Sequence, residues 1–369
     1  MKVLIAAGGT GGHLYPGVAL AQEFKRQVKD ALILFVGTSR GLESKVLERE
    51  GFSLRVIRVE GLIGRRMGKT LRALVLLPVS LVDAYRVLWD FRPDLVIGIG
   101  GYASGPVILL ASFFKNRRVV LEPNAIPGWT NRILMRIGRV DLAILAFEES
   151  RGFFHQKPGR IAILGNPVRR DLVMQETENT HSGNTLLVLG GSQGAHSINL
   201  AMVQSLEDFK RLKQDLFIIH QTGERDFERV KRAYEEKGVK AHVEPFLFNI
   251  ARFYREADLV LCRAGATTLA EITACGRPAI LVPYPHATHD HQIRNARALA
   301  NTGAAVMIED PQLNGAVLVE KVLELMGDRE RLRQMAQRSK AMGNPRATEE
   351  IVKHCLALVN THSDRSPRL

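Results

Sequence analysis

The sequence contains little cysteine, and its cysteines are not paired in any recognisable spacing. Three occur in 369 residues, at Cys262, Cys275 and Cys355. An odd number without a C-x-x-C pair excludes a disulfide framework and gives no support to a cysteine-based zinc site. We therefore expect a protein of a reducing compartment, the cytoplasm.

Metal-binding patterns are lacking as well. One loop holds three histidines within six residues, His286, His289 and His291. Prolines flank the loop, and it has no His-Glu-x-x-His or Asp-x-Asp partner, whereas zinc and iron sites need ligands on rigid elements. We expect neither a metal nor another cofactor.

Long hydrophobic runs are also absent. No run reaches the about 18–20 apolar residues that a membrane-spanning helix needs, because the longest candidate is interrupted by Asp83, Arg86 and Asp90. The first residues, Met1 to Leu4, lead directly into a predicted strand rather than into the apolar core of a signal peptide. The pattern predicts a protein that is neither exported nor membrane-spanning.

Acidic residues are fewer than basic ones, 38 against 51, which gives a formal net charge of +13. Such an excess indicates an anionic partner, and charge alone leaves nucleic acid, nucleotide, phosphorylated substrate and acidic lipid open. No nucleic-acid recognition motif accompanies the charge, so we expect no nucleic-acid partner. The 46% hydrophobic and 24% charged content is typical of a globular protein, and the length favours two domains.

Two segments share one design, a hydrophobic strand followed by a glycine-rich turn and a helical pattern. The turns read GGTGGH at residues 8–13 and GGSQGA at residues 190–195. Exposed backbone N–H groups and the positive end of the helix dipole favour phosphate at such a turn. Six strands alternating with helices are predicted in each half, which indicates parallel sheets with right-handed crossovers. A polar linker is predicted at residues 175–183.

The glycine turns do not fit the two commonest nucleotide motifs. Neither has the G-x-G-x-x-G register, and the second strands of the two halves end in FVGT at residues 35–38 and IHQT at residues 219–222. No acidic residue stands there to bind a ribose, which disfavours a dinucleotide oxidoreductase. No Gly-Lys-Ser/Thr follows either turn, which disfavours a P-loop nucleotidase.

Polar residues follow other predicted strands. The first half has a third glycine-rich segment at residues 98–106, and Glu122 and Asn124 come after the next strand. Open α/β sheets bind ligands at the carboxyl ends of their strands, so we expect a phosphate-tolerant rim there. In the second half, Thr267 or Thr268 is expected to cap a helix. Glu271 in that helix is either a carboxylate favoured by the helix dipole or an acceptor for two ribose hydroxyls.

Taken together, five motifs resemble the signatures of the MurG family of N-acetylglucosaminyltransferases, which complete the lipid-linked disaccharide–pentapeptide precursor of bacterial peptidoglycan. They lie at residues 8–13, 100–102, 165–169, 190–195 and 262–271. The resemblance covers almost the whole chain and implies an α/β GT-B fold, with two Rossmann-like domains whose parallel sheets face each other across a cleft. It implies an acceptor-binding, membrane-associating domain of residues 1–169 and 346–369, and a UDP-N-acetylglucosamine-binding domain of residues 170–345.

The resemblance also assigns substrate contacts. The donor diphosphate is implied at Ser192 and at the helix after Gly265, the ribose at Glu271, the uracil near Leu247 and the sugar near Gln292. Further positions match the substrate contacts of the family: Thr10, Gly11, Gly12, Asn124, Arg169, Arg263, Ala266, Thr267, Thr268, Leu269 and Ala270. The acceptor diphosphate is implied at the first-domain glycine turns, including Gly100, Gly101 and Tyr102.

The implied reaction is attack of the muramoyl C4 hydroxyl of lipid I on the anomeric carbon of the donor, with inversion, to give lipid II and UDP. His13 is the candidate base, although it equally fits a role in hydrogen-bonding the acceptor, and Glu122 is the reserve. Arg263 and a helix N-terminus are expected to compensate the charge on UDP without a metal. The family has His and Gln where this chain has Leu121 and Pro123, so roles resting on those positions are not carried over.

One predicted helix has an apolar face that is preceded by basic residues. Such a combination suits docking on the cytoplasmic face of the bacterial cell membrane. Its apolar residues are Leu71, Leu74, Val75, Pro78, Val79, Val82, Tyr85 and Trp89, and its basic neighbours are Arg65, Arg66, Lys69, Arg72, Lys115, Arg117 and Arg118. The cell-wall or division machinery is a further candidate partner. Rival enzymes are a UDP-N-acetylglucosamine epimerase and another glycolipid transferase, and the resemblance of the first-domain glycine turns disfavours both. A non-catalytic scaffold is disfavoured by the presence of His13, Glu122 and Glu271.

Overall fold

The computed structural model describes residues 1–8, 11–38, 41–59, 67–137, 139–154, 160–173, 184–211, 216–287 and 290–363. The chain forms two compact units. Unit 1 comprises Met1–Arg169 and Arg346–Leu369, and unit 2 comprises Arg170–Pro345. The linker predicted at residues 175–183 lies outside the described residues.

Unit 1 contains a seven-stranded sheet in the order β3-β2-β1-β4-β5-β6-β7, with every neighbouring pair parallel. Its strands are β1 Lys2–Ala7, β2 Leu32–Gly37, β3 Ser53–Val56, β4 Leu95–Gly100, β5 Arg117–Glu122, β6 Leu142–Leu145 and β7 Ile161–Ile163. Its first helices are α1 Gly11–Gln27, α2 Gly41–Arg49, α3 Met67–Phe91, α4 Gly101–Ala111 and α5 Trp129–Arg136, and a 3₁₀ helix spans Glu148–Phe153. The pattern missed β7, whose three residues are too few to show a period.

Unit 2 contains a six-stranded parallel sheet in the order β10-β9-β8-β11-β12-β13. Its strands are β8 Asn184–Leu189, β9 Leu216–Gln221, β10 Ala241–Glu244, β11 Leu259–Cys262, β12 Ala279–Leu281 and β13 Ala305–Met307. Its helices are α6 Arg170–Val173, α7 His196–Lys210, α8 Phe227–Lys237, α9 Ile250–Glu256, α10 Ala266–Ala274, α11 His291–Asn301, α12 Gly315–Met326 and α13 Arg329–Met342, with a 3₁₀ helix at Asp310–Gln312. The last helix, α14 Ala347–Ser363, follows the break at residues 343–345 and belongs to unit 1.

Each sheet is buried on both faces, as expected of parallel sheets. In unit 1, alternate residues of β1 pack into opposite cores: Ile5 lies with α1 and α14, and Leu4 lies with α3, α4 and α5. Two cores likewise flank the sheet of unit 2. The prediction of an α/β chain with two Rossmann-like parallel sheets, as in the GT-B fold, is confirmed.

None of the helices in the described ranges combines the length and the hydrophobicity that crossing a bilayer requires.

Candidate active site

At the carboxyl edge of the unit 1 sheet, two glycine-rich turns approach each other closely. Gly101 begins α4 with φ of +74°, and a side chain there would collide with the carbonyl oxygen of Gly8. Gly100 has φ of +110°, and a Cβ atom there would lie 3.0 Å from the ring of His13. Glycine is therefore required at both positions, and the His13 ring lies directly against the second turn.

The first turn leads into α1, which begins at Gly11 and Gly12. The first N–H groups of a helix have no intrahelical partner and favour an anion. Thr10, which the resemblance assigns to the same site, lies outside the described residues. Tyr102 is in the first turn of α4 and is exposed. Because α1 and α4 follow the neighbouring parallel strands β1 and β4, their N-termini lie at the same edge of the sheet.

Glu122 ends β5 and is fully enclosed. Its carboxylate accepts hydrogen bonds from the backbone and side-chain N–H groups of Asn124 (3.1 and 3.3 Å), from the backbone of Gly128 (2.9 Å) and from the amide of Asn131 (2.9 Å). Burial raises the pKa of Glu122 above its ordinary value, although these N–H groups favour the charged form. The covered carboxylate holds the turn and positions Asn124. The reserve assignment of Glu122 as base stays a prediction.

Arg169 lies where the chain leaves unit 1. Its side chain is buried, and the guanidinium stacks 5.0 Å from the ring centroid of Tyr15 in α1. The preceding residue, Val168, donates to and accepts from the hydroxyl of Thr348 (3.0 and 2.6 Å). Arg169 is thereby held against the first turns of α1, close in the fold to His13.

In unit 2, the glycine turn between β8 and α7 carries Ser192, which is half-buried. One side chain ties this turn to the β10 end of the sheet: Gln221 donates to the carbonyl of Gly191 (2.9 Å) and accepts from the N–H of Leu247 (3.0 Å). Sequence reasoning missed Gln221 as a site residue and noted only that it is not acidic. Its position at the end of β9 was the available signal.

The segment between β11 and α10 contains the largest group of candidate contacts. The helix N-cap is Gly265, so the expectation that Thr267 or Thr268 is the N-cap is wrong. The N-terminal turns hold Ala266, Thr267, Thr268, Leu269 and Ala270. The positive end of the helix dipole favours an anion at such a helix N-terminus.

Glu271 lies in the second turn of α10 and is buried. Its Oε2 atom accepts a hydrogen bond from the hydroxyl of Tyr254 at 3.2 Å. Burial, and then the charge of Glu271, raise the pKa of Tyr254 well above its ordinary value, so the hydroxyl stays a donor. This position excludes the interpretation of Glu271 as a carboxylate favoured by the helix dipole, because the effect of the dipole is limited to the first turn of the helix.

Arg263 lies in a network of contacts at the ends of two strands. Its guanidinium forms an ion pair with Asp310 and donates to the carbonyls of Val282 (3.2 Å) and Pro283 (3.3 Å). It also donates to the hydroxyl of Ser197 at 2.9 Å. This side chain thereby links the ends of β11 and β12 to Asp310. The compensation of a diphosphate by Arg263 stays a prediction.

Gln292 lies in the first turn of α11 and accepts a hydrogen bond from the backbone N–H of Tyr284 at 2.9 Å. This contact holds the histidine-containing loop against the helix. Of the three histidines, His289 lies outside the described residues. Within the described ranges, no group of three or more His, Cys, Asp or Glu side chains is placed to hold a metal ion.

A buried polar chain behind the Ser192 turn was not predicted. His220 contacts the hydroxyl of Tyr234 (3.1 Å) and the Oδ1 atom of Asn199 (3.0 Å), and Asn199 donates to Asp226 (2.9 Å). Asp226 also contacts the ring of His196 at the start of α7 (3.0 Å). Burial lowers the pKa of His220 to about 3, so this ring is neutral and fixes the beginning of α7 through hydrogen bonds alone.

Exposed apolar side chains lie on the second half of α3 and just after α4. We define the α3 patch by Val82, Tyr85 and Trp89 of α3 and by Phe113, all of which are exposed. The residue next to Phe113, Phe114, has its ring centroid 5.7 Å from that of Tyr85. Tyr85 and Trp89 stack with ring centroids 6.0 Å apart. Pro78 is exposed and Val79 is half-buried beside the patch. The remaining predicted apolar and basic members lie where the structure describes no side chains: Arg65, Arg66, Lys69, Leu71, Arg72, Leu74 and Val75.

Cations border the α3 patch. The guanidinium of Arg92 lies 5.7 Å from the ring of Trp89, and that of Arg139 lies 5.4 Å from the ring of Phe113. Lys115 is exposed. The predicted contribution of Arg118 is reduced, because both arms of its guanidinium bond to Asp141 at 2.9 Å, and Arg117 lies 3.9 Å from the same carboxylate.

Comparison with known families assigns both units. Residues 3–139 match the glycosyltransferase family 28 N-terminal domain, and residues 185–351 match the glycosyltransferase family 28 C-terminal domain. A curated relative from Myxococcus xanthus is 45% identical over 97% of this chain and 93% of its own length. Another from Syntrophus aciditrophicus is 45% identical over 97% and 99%. Both carry the name UDP-N-acetylglucosamine–N-acetylmuramyl-(pentapeptide) pyrophosphoryl-undecaprenol N-acetylglucosamine transferase.

Comparison with solved structures agrees with this family assignment. The crystal structure of Acinetobacter baumannii MurG superposes with a TM-score of 0.73 at 28% identity, covering 96% of this chain and 99% of that chain. A UDP-GlcNAc 2-epimerase from Neisseria meningitidis, bound to UDP-GlcNAc, has a TM-score of 0.67 at 15% identity, covering 97% and 100%. At that low identity the epimerase shows a shared fold alone.

Proposed function

Because this chain belongs to the MurG family of N-acetylglucosaminyltransferases, we propose that unit 1 binds its lipid-linked acceptor and unit 2 its nucleotide-sugar donor. The protein transfers N-acetylglucosamine from UDP-N-acetylglucosamine to lipid I in peptidoglycan synthesis, giving lipid II and UDP. The observation that carries this function is the near-full-length identity to relatives of that name.

We propose that the donor lies along the carboxyl edge of the unit 2 sheet. The Ser192 turn and the N-terminal turns of α10 hold the diphosphate, because both helix ends offer N–H groups to an anion. The backbone at Leu247 binds the uracil, Glu271 the ribose and Gln292 the sugar. Gln221 supports this arrangement, since its amide ties the Ser192 turn to Leu247.

We propose that the acceptor diphosphate lies against the paired glycine turns of unit 1, at Gly100, Gly101 and Tyr102, with the N-terminus of α1 beside it. The close contact of the turns supports this, because it brings two helix N-termini to one edge. Asn124, held by Glu122, and Arg169, stacked on Tyr15, complete the proposed acceptor side.

We propose that His13 acts as base. The C4 hydroxyl oxygen of the acceptor forms a bond to the anomeric carbon while the bond from that carbon to the UDP oxygen breaks, which inverts the configuration. The hydroxyl proton moves to the imidazole of His13, and the electron pair of the broken bond leaves on UDP. The N-terminus of α10, with Arg263 or nearby donors, stabilises the developing charge, so we expect transfer without a metal.

We propose that the α3 patch attaches the protein to the cytoplasmic face of the cell membrane. Val82 and three aromatic side chains of this patch are exposed, and Arg92 and Arg139 lie against two of the aromatic rings. Lys115, two residues after Phe113, is exposed as well. Aromatic residues with a basic rim suit the interface of an anionic bilayer. Attachment there serves an enzyme whose acceptor is itself anchored in lipid.

The test is transfer of labelled N-acetylglucosamine from UDP-N-acetylglucosamine to a short-chain polyprenyl-diphosphoryl-muramoyl-pentapeptide in the presence of EDTA. Labelled disaccharide product supports the donor, the acceptor and metal independence together. Product that forms only after divalent metal is added contradicts metal independence alone. Conversion of the donor to its C2 epimer without transfer would instead favour the epimerase alternative.

A further inference from the structure

Asn166 is a buried amide whose hydrogen-bonding capacity is unused. The residue is 6% exposed. Among the residues that the structure describes, neither its Oδ1 nor its Nδ2 atom has a hydrogen-bond partner, and neither is exposed to solvent. Buried polar groups are nearly always paired, so such an exception in a folded protein calls for a ligand or another explanation.

The backbone around Asn166 is held firmly on both sides. Gly165 turns the chain with φ of +83° directly after β7. Leu164 still donates to the carbonyl of Leu145 in β6 (3.1 Å), and Val168 is bonded twice by the hydroxyl of Thr348. The unpaired amide is therefore part of a well-defined segment rather than of a free end.

This segment follows the carboxyl edge of the unit 1 sheet. β7 is separated from β1 by four strand spacings, about 19 Å at the usual distance between strands. The chain leaves β7 at Leu164, and by Arg169 its side chain reaches Tyr15 in α1, which follows β1. Asn166 consequently lies along the edge that also holds Asn124 and the start of α1 with His13.

The chemistry of the amide selects the kind of ligand. An asparagine side chain offers two N–H donors and one acceptor oxygen. A phosphate only accepts, so it would leave Oδ1 without a donor. A sugar hydroxyl or acetamido group both donates and accepts and satisfies both ends of the amide.

We propose that Asn166 binds the muramoyl sugar of the acceptor through its side-chain amide. The proposal rests on the assignment of acceptor binding to unit 1. Because the amide is buried, the sugar reaches it after a small local rearrangement.

The test is the variant Asn166→Leu, which removes the polar atoms at nearly constant volume. We expect a higher melting temperature, because an unpaired buried amide is replaced by an apolar group, and an acceptor KM raised roughly 10-fold or more through loss of two hydrogen bonds. The donor KM should stay within about 2-fold of that of the wild type. If leucine impairs folding, Asn166→Ala should give the same split between the two KM values.

Asn116 offers a matched control. It is also 6% exposed, and in the described structure both of its amide atoms lack a partner, but it precedes β5 at the opposite edge of the same sheet. Asn116→Leu should raise the melting temperature and leave both KM values unchanged. An Asn166→Leu variant that behaves like this control, that raises only the donor KM, or that loses stability with an unchanged acceptor KM would overturn the proposal.

Titration of the short-chain acceptor into wild type and variants keeps this test separate from the proposed function. A wild type that binds the acceptor without turnover would contradict the proposed reaction alone. Weaker acceptor binding by Asn166→Leu than by Asn116→Leu would still support the Asn166 contact, and equal binding would refute it.

Discussion

His13 illustrates how a single side chain is placed by its neighbours. The sequence puts a histidine at the start of α1, but the close contact between its ring and the second glycine turn depends on Gly100 having no side chain. Glu122 shows the opposite case, because its local sequence suggested a base while the fold encloses its carboxylate among N–H donors. In both cases the residue type indicated the chemistry, and only the fold showed which groups surround the side chain.

We predict that His13→Ala lowers kcat by about 10²–10⁴-fold, the usual contribution of a general base. The donor KM should change little, because we propose that the donor binds to unit 2. Steady-state kinetics with both substrates varied provide the measurement. The exposed His354 on α14 serves as control in His354→Ala, and near-normal turnover of His13→Ala would remove His13 as base.

A second residue-scale prediction concerns the acid sensitivity of folding. The folded-state pKa of His220 is lowered to about 3 from the ordinary 6.5. As the pH falls from 6.5 towards 3, the unfolded chain binds a proton at this position that the folded chain cannot bind, so the free energy of unfolding decreases. The single proton corresponds to about 1.4 kcal/mol per pH unit within that window.

The variant His220→Gln should therefore flatten the decline of unfolding free energy between about pH 6 and 4. Urea unfolding at several pH values measures the slope. His354→Gln, which changes an exposed histidine, is the control. An unchanged slope in His220→Gln would mean that His220 does not titrate as its burial indicates.

Among the elements, the turns that follow strands contain most of the candidate site. Apolar runs and glycine punctuation predicted nearly all strands, because strands buried on both faces require continuous hydrophobic residues. The hydrogen bonds by which Gln221 joins the Ser192 turn to Leu247 were not predictable. Gln221 and Leu247 are distant in sequence and meet only when β9 pairs with β8 and β10. The short edge strand β7 was missed for lack of length.

We predict that Gln221→Leu weakens UDP binding roughly 10-fold, because two hydrogen bonds are lost and the N–H of Leu247 loses its acceptor. The acceptor KM should be unaffected. Isothermal titration with UDP measures the change. Gln334→Leu, on the exposed face of α13, controls for the general effect of the substitution, and equal UDP affinity in the two variants would contradict the link.

The α3 patch yields a prediction about membrane binding. Trp89→Glu should weaken binding to phosphatidylglycerol-containing vesicles roughly 10-fold by replacing an apolar contact with a negative charge. Turnover of a short-chain acceptor in solution should stay unchanged, because the substitution is on the surface. Vesicle sedimentation is the measurement. The control is Leu200→Glu, which changes an exposed apolar residue on α7. This variant should bind vesicles as the wild type does, and an equal loss of vesicle binding in both variants would disprove a specific patch.

At the scale of the whole molecule, the chain divides into two units with separate cores. The chain passes from unit 1 to unit 2 after Arg169 and returns before Arg346. Close to these two points, the hydroxyl of Thr348 in α14 forms hydrogen bonds with both the N–H and the carbonyl of Val168. Such a division allows each unit to carry one substrate site.

Hydrogen exchange tests this division. UDP at 100 times its Kd stabilises the state that binds it by about 2.7 kcal/mol, and we expect the added protection in unit 2. The segments concerned are residues 190–195, 221–223, 246–248, 265–271 and 291–293. Protection of the unit 1 turns by UDP alone, with unit 2 unaffected, would reverse the proposed assignment of donor and acceptor.

By itself, the sequence determined the α/β class, the two domains and the strand–glycine–helix units, because hydrophobic periodicity and glycine act locally. Its motifs also indicated the family. Only the tertiary structure decided which polar groups have partners. Arg263 forms an ion pair with Asp310, and the carboxylate of Glu122 accepts hydrogen bonds from its own turn. The side-chain amide of Asn166 has no hydrogen-bond partner in the described chain. The reason is that burial and pairing depend on residues far apart in sequence, and these determine whether a charged or polar side chain remains available to a substrate.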